Sequence, residues 1–262
     1  MEIDFLTVTT DDDGVGRRLF FLVTRDTATP PRYRWFMRAE GYQFGKLFVG
    51  RWSNGRWLAS VAGEQSGQVW RLLLDEAVDP RLISVARVDI QTTLHTVDAD
   101  KVIGKLEPSL RYKGTRISQT TGRGSTLYVG AAKSDKRLRI YNKSAQAGID
   151  VGIGELLRVE LQLRNSHADL ALAIARANDE GGFYRWWRET CCAMAPDLSG
   201  ILPLADTAHI QIPEKQDEEP GYRAWIERCV LPALEKARLT PEWEGIKASL
   251  LTVIREDLPD AD

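Results

Sequence analysis

Several things are scarce in this 262-residue sequence, and each scarcity excludes a class. It has three cysteines, Cys191 and Cys192 side by side and Cys229 alone. That excludes a disulfide scaffold, and the odd number points to reduced thiols in a cytoplasmic protein. Its three histidines (His95, His167, His209) are too dispersed for a His-rich metal centre. No apolar run approaches the roughly 18 residues of a membrane-spanning helix. The opening MEIDFLTVTTDDDG lacks a basic segment followed by an apolar one, so no secretory leader is expected. Gly122, Gly124 and Gly130 lack the spacing and the Gly-Lys-Ser/Thr of a phosphate-binding P-loop. There is no internal repeat and no low-complexity tract. What remains, 43% hydrophobic and 27% charged residues, is the composition of a globular domain.

Net charge is also scarce, at −2, which at first argues against a polyanionic partner. Position reverses that argument. Residues 105–143 hold ten bases against two acids, a net of +8. Residues 206–262 hold thirteen acids against seven bases, a net of −6. Attraction of a polyanion is governed by charge within a Debye length, about 8–10 Å, so the basic middle counts and the sum does not.

Hydrophobic periodicity orders the elements. IDFLTVT and RLFFLVTR read as strands, and GYQFGKLFVGRW and RWLASVAG as a hairpin about Ser53-Asn54-Gly55. SGQVWRLLLDEAV has helical spacing and stops before Pro80. SVARVDIQTTLHT is a strand, and 98–124 a helical turn followed by a basic loop. STLYVGA and KRLRIYNK form a hairpin, and ELLRVELQLR is a further strand. The period then becomes helical in SHADLALAIARAND, with Ser166 as N-cap, and in FYRWWRETCCAM. A linker at IQIPEKQDEEP leads to two amphipathic helices. The division is a domain at 1–205 and a helical extension at 206–262.

Three of these strands share one pattern. Alternation puts Arg87, Asp89 and Gln91 on one face of the first, with Val88 and Ile90 opposite. It groups Arg137, Arg139, Tyr141 and Lys143 on the second, and Arg158, Glu160, Gln162 and Arg164 on the third. As neighbours, these strands make an apolar floor for helices and a polar face rich in arginine, which binds phosphate in a planar fork. Asp89 and Glu160 suit a hard divalent cation such as Mg²⁺ or Mn²⁺. Tyr141, between Arg139 and Lys143, is placed as a phenol activated by cations for attack on phosphorus. Together they describe a site that cleaves phosphodiesters. Tyr184, Trp186 and Trp187 read as core packing, and Cys191 and Cys192 as buried thiols.

STLYVGAAKSDKRLRIYNK followed by LLRVELQLR resembles the replication initiation factor family, which includes rolling-circle initiators and relaxases of integrative conjugative elements. ARVDIQTT looks like its Arg-x-Asp strand, and IDFLTVTT, WLASVAGEQSGQVWRLLL and WIERCVLPALEKARL look like further family segments. The resemblance implies an α+β fold, a central antiparallel sheet with helices packed on one face, related to that of the His-hydrophobe-His nickases and followed by C-terminal helices. It implies a metal-dependent DNA nicking-closing enzyme, with Tyr141 as nucleophile and Asp89 and Glu160 as metal ligands. Arg139, Lys143 and Arg158 would contact the scissile phosphate. The family's second aspartate has no counterpart after Asp89, so Gln91 and His95 are the neighbours that could complete a ligand set. Lys113, Arg116, Arg123, Lys133 and Arg137 are the expected DNA contacts. The implied partners are single-stranded or hairpin origin DNA, a second copy in a homodimer, and a helicase. Alternatives are a conjugative relaxase, a non-catalytic DNA-binding regulator of the same fold, and a nuclease that uses water.

Overall fold

The computed structural model describes residues 1–24, 31–106, 112–120, 124–149, 151–152 and 154–204. The expected 206–262 extension, its boundary, Arg123 and Cys229 lie outside these residues. Among the described residues no helix is long and apolar enough to cross a membrane.

The chain opens with β1 (Glu2–Thr10), whose Leu6 and Val8 are wholly buried. An Asp12 carboxylate oxygen then accepts from the Val15 amide at 2.9 Å and starts α1 (Asp13–Thr24). Residues 18–24 are therefore helical, where the aromatic and β-branched density of RLFFLVTR predicts a strand. The period decides it, because Val15, Leu19 and Val23 recur every four residues and are the buried ones. A four-strand meander follows: β2 (Arg32–Phe36), β3 (Ala39–Phe44), β4 (Leu47–Arg51) and β5 (Trp57–Ala62). The expected Asn-Gly turn joins β4 to β5, with Gly55 at φ +89°. Strand β2 has no sequence signal, since none of its residues is buried.

α2 (Glu64–Leu74) and β6 (Ile83–Thr96) come next, as expected. α3 (Ala99–Lys105) is followed by β7 (Arg116–Thr120), a strand in a stretch that reads as loop. β8 (Gly124–Val129) and β9 (Lys136–Asn142) form the predicted hairpin, and β9 runs straight into α4 (Lys143–Ala147). β10 (Glu155–Arg164), α5 (Ser166–Ala177) and α6 (Glu180–Met194) complete the order. The N-cap of α5 is Asn165, not Ser166, and it makes no side-chain capping bond.

All ten strands form one sheet in the order β2-β3-β4-β5-β1-β6-β10-β9-β8-β7. Each neighbouring pair is antiparallel. One sheet face carries Leu6, Val88, Ile90, Leu138, Ile140 and Val159 into a single core. Helices α1, α2, α3, α5 and α6 supply its other side through Leu19, Leu73, Ile103, Leu172 and Trp187. Trp187 also donates from its indole to the Ile90 carbonyl at 3.2 Å, pinning α6 to the sheet. The reading of Tyr184 and Trp187 as core residues holds, both being at most 1% exposed. Fold class and helix placement thus match the α+β expectation.

Two bulges set which residues face away from that core. β1 pairs Ile3 with Ile90 but Phe5 with Asp89, leaving Asp4 as the extra residue. β6 offers Arg87 to Thr7 and Val85 to Val8, leaving Ala86 extra. A bulge shifts the alternation by one. Val85 therefore points into the core, while Arg87, Asp89 and Gln91 point to the polar face.

Candidate active site

Strand register assembles this site. β10 lies between β6 and β9, so Arg158, Glu160 and Gln162 each have a partner on both sides. The rows are Asp89–Gln162–Arg137, Gln91–Glu160–Arg139 and Thr93–Arg158–Tyr141. The pattern of period two thus brings together Arg87, Asp89, Gln91, Arg137, Arg139, Tyr141, Arg158 and Glu160. The centre of this face is buried rather than open: Tyr141 is 3%, Glu160 4% and Arg158 5% exposed.

In the first row Asp89 is already engaged. Arg87 grips its carboxylate through two bonds, 2.9 and 2.5 Å, and Gln162 donates a third at 3.4 Å. Arg87 in turn lies 4.4 Å from the centre of the Phe5 ring. In the second row Glu160 has a single long ion pair, 3.4 Å to Arg139. Burial pushes the Glu160 carboxyl above the usual carboxylate range; Arg139 opposes this, while Asp89 and Asp4 add to it. Gln91 donates to Glu2 at 3.2 Å and to Asp4 at 3.3 Å. Its Oε1 is buried without a partner.

The third row holds the phenol. Arg158 donates from Nε to the Thr93 hydroxyl at 3.1 Å, and among the described residues forms no ion pair. A buried guanidinium without a counter-charge is expensive, and an arriving anion would relieve it. The Tyr141 phenol is pushed up to about 12, first by burial and then by the Glu160 carboxylate; Arg158 and Arg139 pull the other way. Arg139 lies across the Tyr141 ring at 4.2 Å, and its Nε has no partner.

Lys143 is not a strand residue but the first residue of α4, after the N-cap Asn142. It still belongs to the cluster. Burial, then Arg158, holds its ammonium below the ordinary lysine range, with Arg139 acting alike and Asp4 and Glu160 acting against.

The expected DNA contacts disperse around this centre. Arg116 and Arg137 flank the Tyr128 ring, at 5.2 and 4.3 Å. The Arg137 Nε is a further buried donor without a partner. Lys113 and Lys133 are exposed in turns. His95 is exposed at the far end of β6, opposite Leu156.

Sequence reasoning missed Glu2, Asp4 and Thr93. The acids sit on the N-terminal strand at a bulge, where alternation gives no guide. A signal was present in EIDF, two acids in a strand that joins the arginine-bearing strands. Among the described residues no three histidine, cysteine or acidic side chains are grouped as a metal centre. The oxygens that could serve a hard cation beside the orphaned Oε1 of Gln91 are those of Glu160, Asp4 and Glu2. Asp89 is closed by Arg87. Oxygen donors are the type that Mg²⁺ and Mn²⁺ take.

Residues 74–191 match the family model described as "Replication initiation factor". That span runs from the end of α2 into α6 and includes every residue of the three rows. A rolling-circle replication initiator protein from Geobacillus stearothermophilus has a similar structure, with a TM-score of 0.52 and 20% identity. The likeness covers 74% of this chain and 84% of that one, and it establishes a shared fold. No curated protein matches the sequence.

Proposed function

We propose that this chain, whose residues 74–191 match the replication initiation factor model, starts rolling-circle DNA replication by nicking one strand at an origin, with Tyr141 as nucleophile. The observation that carries the reading is the buried guanidinium of Arg158, without an acid partner among the described residues, in the same cross-strand row as the buried Tyr141 phenol and hydrogen-bonded to it. That is an anion site built next to a nucleophile.

A phosphodiester entering there would meet Arg158 and Lys143, and would draw Arg139 off the tyrosine ring and off Glu160. The Tyr141 oxygen attacks phosphorus as the bond to the 3′ oxygen breaks. The products are a 5′-phosphotyrosine and a 3′-hydroxyl that can prime synthesis. The phenol gives up a proton in this step and the departing 3′ oxygen takes one. Lys143, with its lowered proton affinity, is the group in the cluster suited to relay it. Guanidinium and ammonium charge around the phosphate stabilises the crowded transition state.

The reading includes a divalent cation. Glu160 and Gln91 would hold it, with Asp89 joining if Arg87 released it. Such an ion would supply positive charge against phosphate and phenolate oxygens. The expected partners are single-stranded or hairpin origin DNA, a second copy of the chain and a helicase.

The test uses a supercoiled plasmid carrying the DNA that flanks the chain's own reading frame, with Mn²⁺. The nick should be extendable by a polymerase from its 3′ end and blocked to exonuclease at its 5′ end. A nick whose 5′ end is free would point to a nuclease that uses water. A gel shift without any nick would point to a regulator.

A further inference from the structure

The far edge of the sheet, three to six strands from β10, has a surface that the phosphodiester site does not use. Residues 31–57 hold eight aromatic residues, and six bases against one acid, a net of +5. They form the β2–β5 meander. Tyr33 pairs with Tyr42 and Trp35 with Glu40, which sets these rings on one face of the hairpin. Through Tyr42–Val49–Ala59 that face is continuous with the helix-covered side of the sheet. Here the helices stop and the rings are left uncovered. Trp35 is 63%, Tyr33 56% and Tyr42 42% exposed. A groove of about 340 Å³ runs among them, closed at one end by Phe20 of α1.

The groove is built rather than incidental. Tyr33 and Phe20 meet Tyr42 edge-on at 5.6 and 6.2 Å, which fixes the central ring. Arg51 is stacked on Trp57 at 4.6 Å and paired with Asp13 at 3.0 Å, so it shapes the wall. The two-residue turn between β2 and β3 has both Met37 and Arg38 at positive φ, +49° and +65°. Such a turn normally takes Asn-Gly, and two side chains there are strained. The Trp52 indole holds it by donating to the Met37 carbonyl at 2.8 Å. Beyond the groove, Arg38 in the β2–β3 turn and Lys46 in the β3–β4 turn are exposed and, among the described residues, pair with no acid, while Arg32 alternates to the opposite face.

We propose that this groove is a second nucleic-acid site, one that takes unpaired bases of single-stranded DNA on Trp35, Tyr33 and Tyr42 while Arg38 and Lys46, in the turns at its two ends, meet the phosphates. Aromatic faces with interleaved bases are the physical requirement for sequence-tolerant single-strand binding. Glu40 lines the groove and Arg51 is paired with Asp13, so the positive charge available to phosphates is that of Arg38 and Lys46. The rings lie on the opposite face of the sheet from Tyr141, so one strand in the groove and one at the phenol are held apart. The inference does not need Tyr141 to react.

The experiment is fluorescence anisotropy of labelled oligothymidylate with the full chain. Trp35→Ala/Tyr42→Ala should weaken binding about tenfold or more, with an unchanged melting temperature and an unchanged affinity for blunt duplex DNA. Single-strand affinity within twofold of the parent overturns the proposal, and so does an equal loss on duplex. Competition by a proline-rich peptide, with no oligothymidylate binding, also overturns it and makes the groove a peptide site. Should the double variant not fold, Arg38→Gln/Lys46→Gln should lower the slope of log affinity against log salt by about 0.7 per lost contact. An unchanged slope then sinks the idea. A chain that links to DNA through Tyr141 yet ignores Trp35 and Tyr42 loses only this inference. A chain that fails to link yet needs them loses only the nickase reading.

Discussion

Arg158 and Tyr141 show how residues at this site are held for function against stability. Arg158 is buried, hydrogen-bonded to the Thr93 hydroxyl and to the Tyr141 phenol, with no acid partner among the described residues. Arg158→Met should therefore raise thermal stability, by the order of 1–3 kcal/mol, while removing nicking. Loss of stability on calorimetry would show that the guanidinium has an acid partner in the fold. For Tyr141 the sign follows from its raised value. The fold prefers the neutral phenol, so this contribution to stability is whole below pH 10 and is lost as pH rises toward about 12. Phenolate absorbance of the parent minus that of Tyr141→Phe should show one group ionising near 12. Nicking should rise with pH across the neutral range without a plateau. Glu160, Arg158 and Tyr141 were legible in the sequence because a period of two sorts faces without knowledge of partners. Asp4 was not, because a bulge breaks that period. Arg87's grip on Asp89 was not legible either, since two same-face neighbours can pair or can both turn to a ligand.

Elements were legible where the period was long. β6, β9 and β10 were read with their faces correct, because each carries three or more alternations. α1 was misread, because phenylalanine, leucine and valine in a row outweighed the four-residue recurrence of Val15, Leu19 and Val23. Asp12→Ala should cost about 1 kcal/mol through the lost cap, measured by denaturant titration. The meander has a sharper requirement. Gly41 and Gly50 face each other across β3 and β4, and a Cβ on Gly41 would collide with the Val49 carbonyl and the Gly50 backbone. Gly41→Ala should destabilise by about 1–3 kcal/mol through overpacking and should distort the aromatic groove. Retained stability would mean that the two strands part more easily than the pairing implies.

Across the whole molecule, neutrality conceals two basic regions. One is the 105–143 segment around Tyr141, and the other is the β2–β5 edge with its net of +5. Charge counting along the chain found the first. The second is spread over four strands, and only the folded meander shows its rings to be uncovered. DNA binding should weaken steeply with salt despite the net charge of −2. The central claim, that Tyr141 becomes joined to DNA, is tested most directly by a denaturing gel of the products on supercoiled plasmid with Mn²⁺. The account predicts a protein–DNA adduct from the parent chain and none from a folded Tyr141→Phe chain. An adduct from Tyr141→Phe, or nicking by the parent without any adduct, would contradict it.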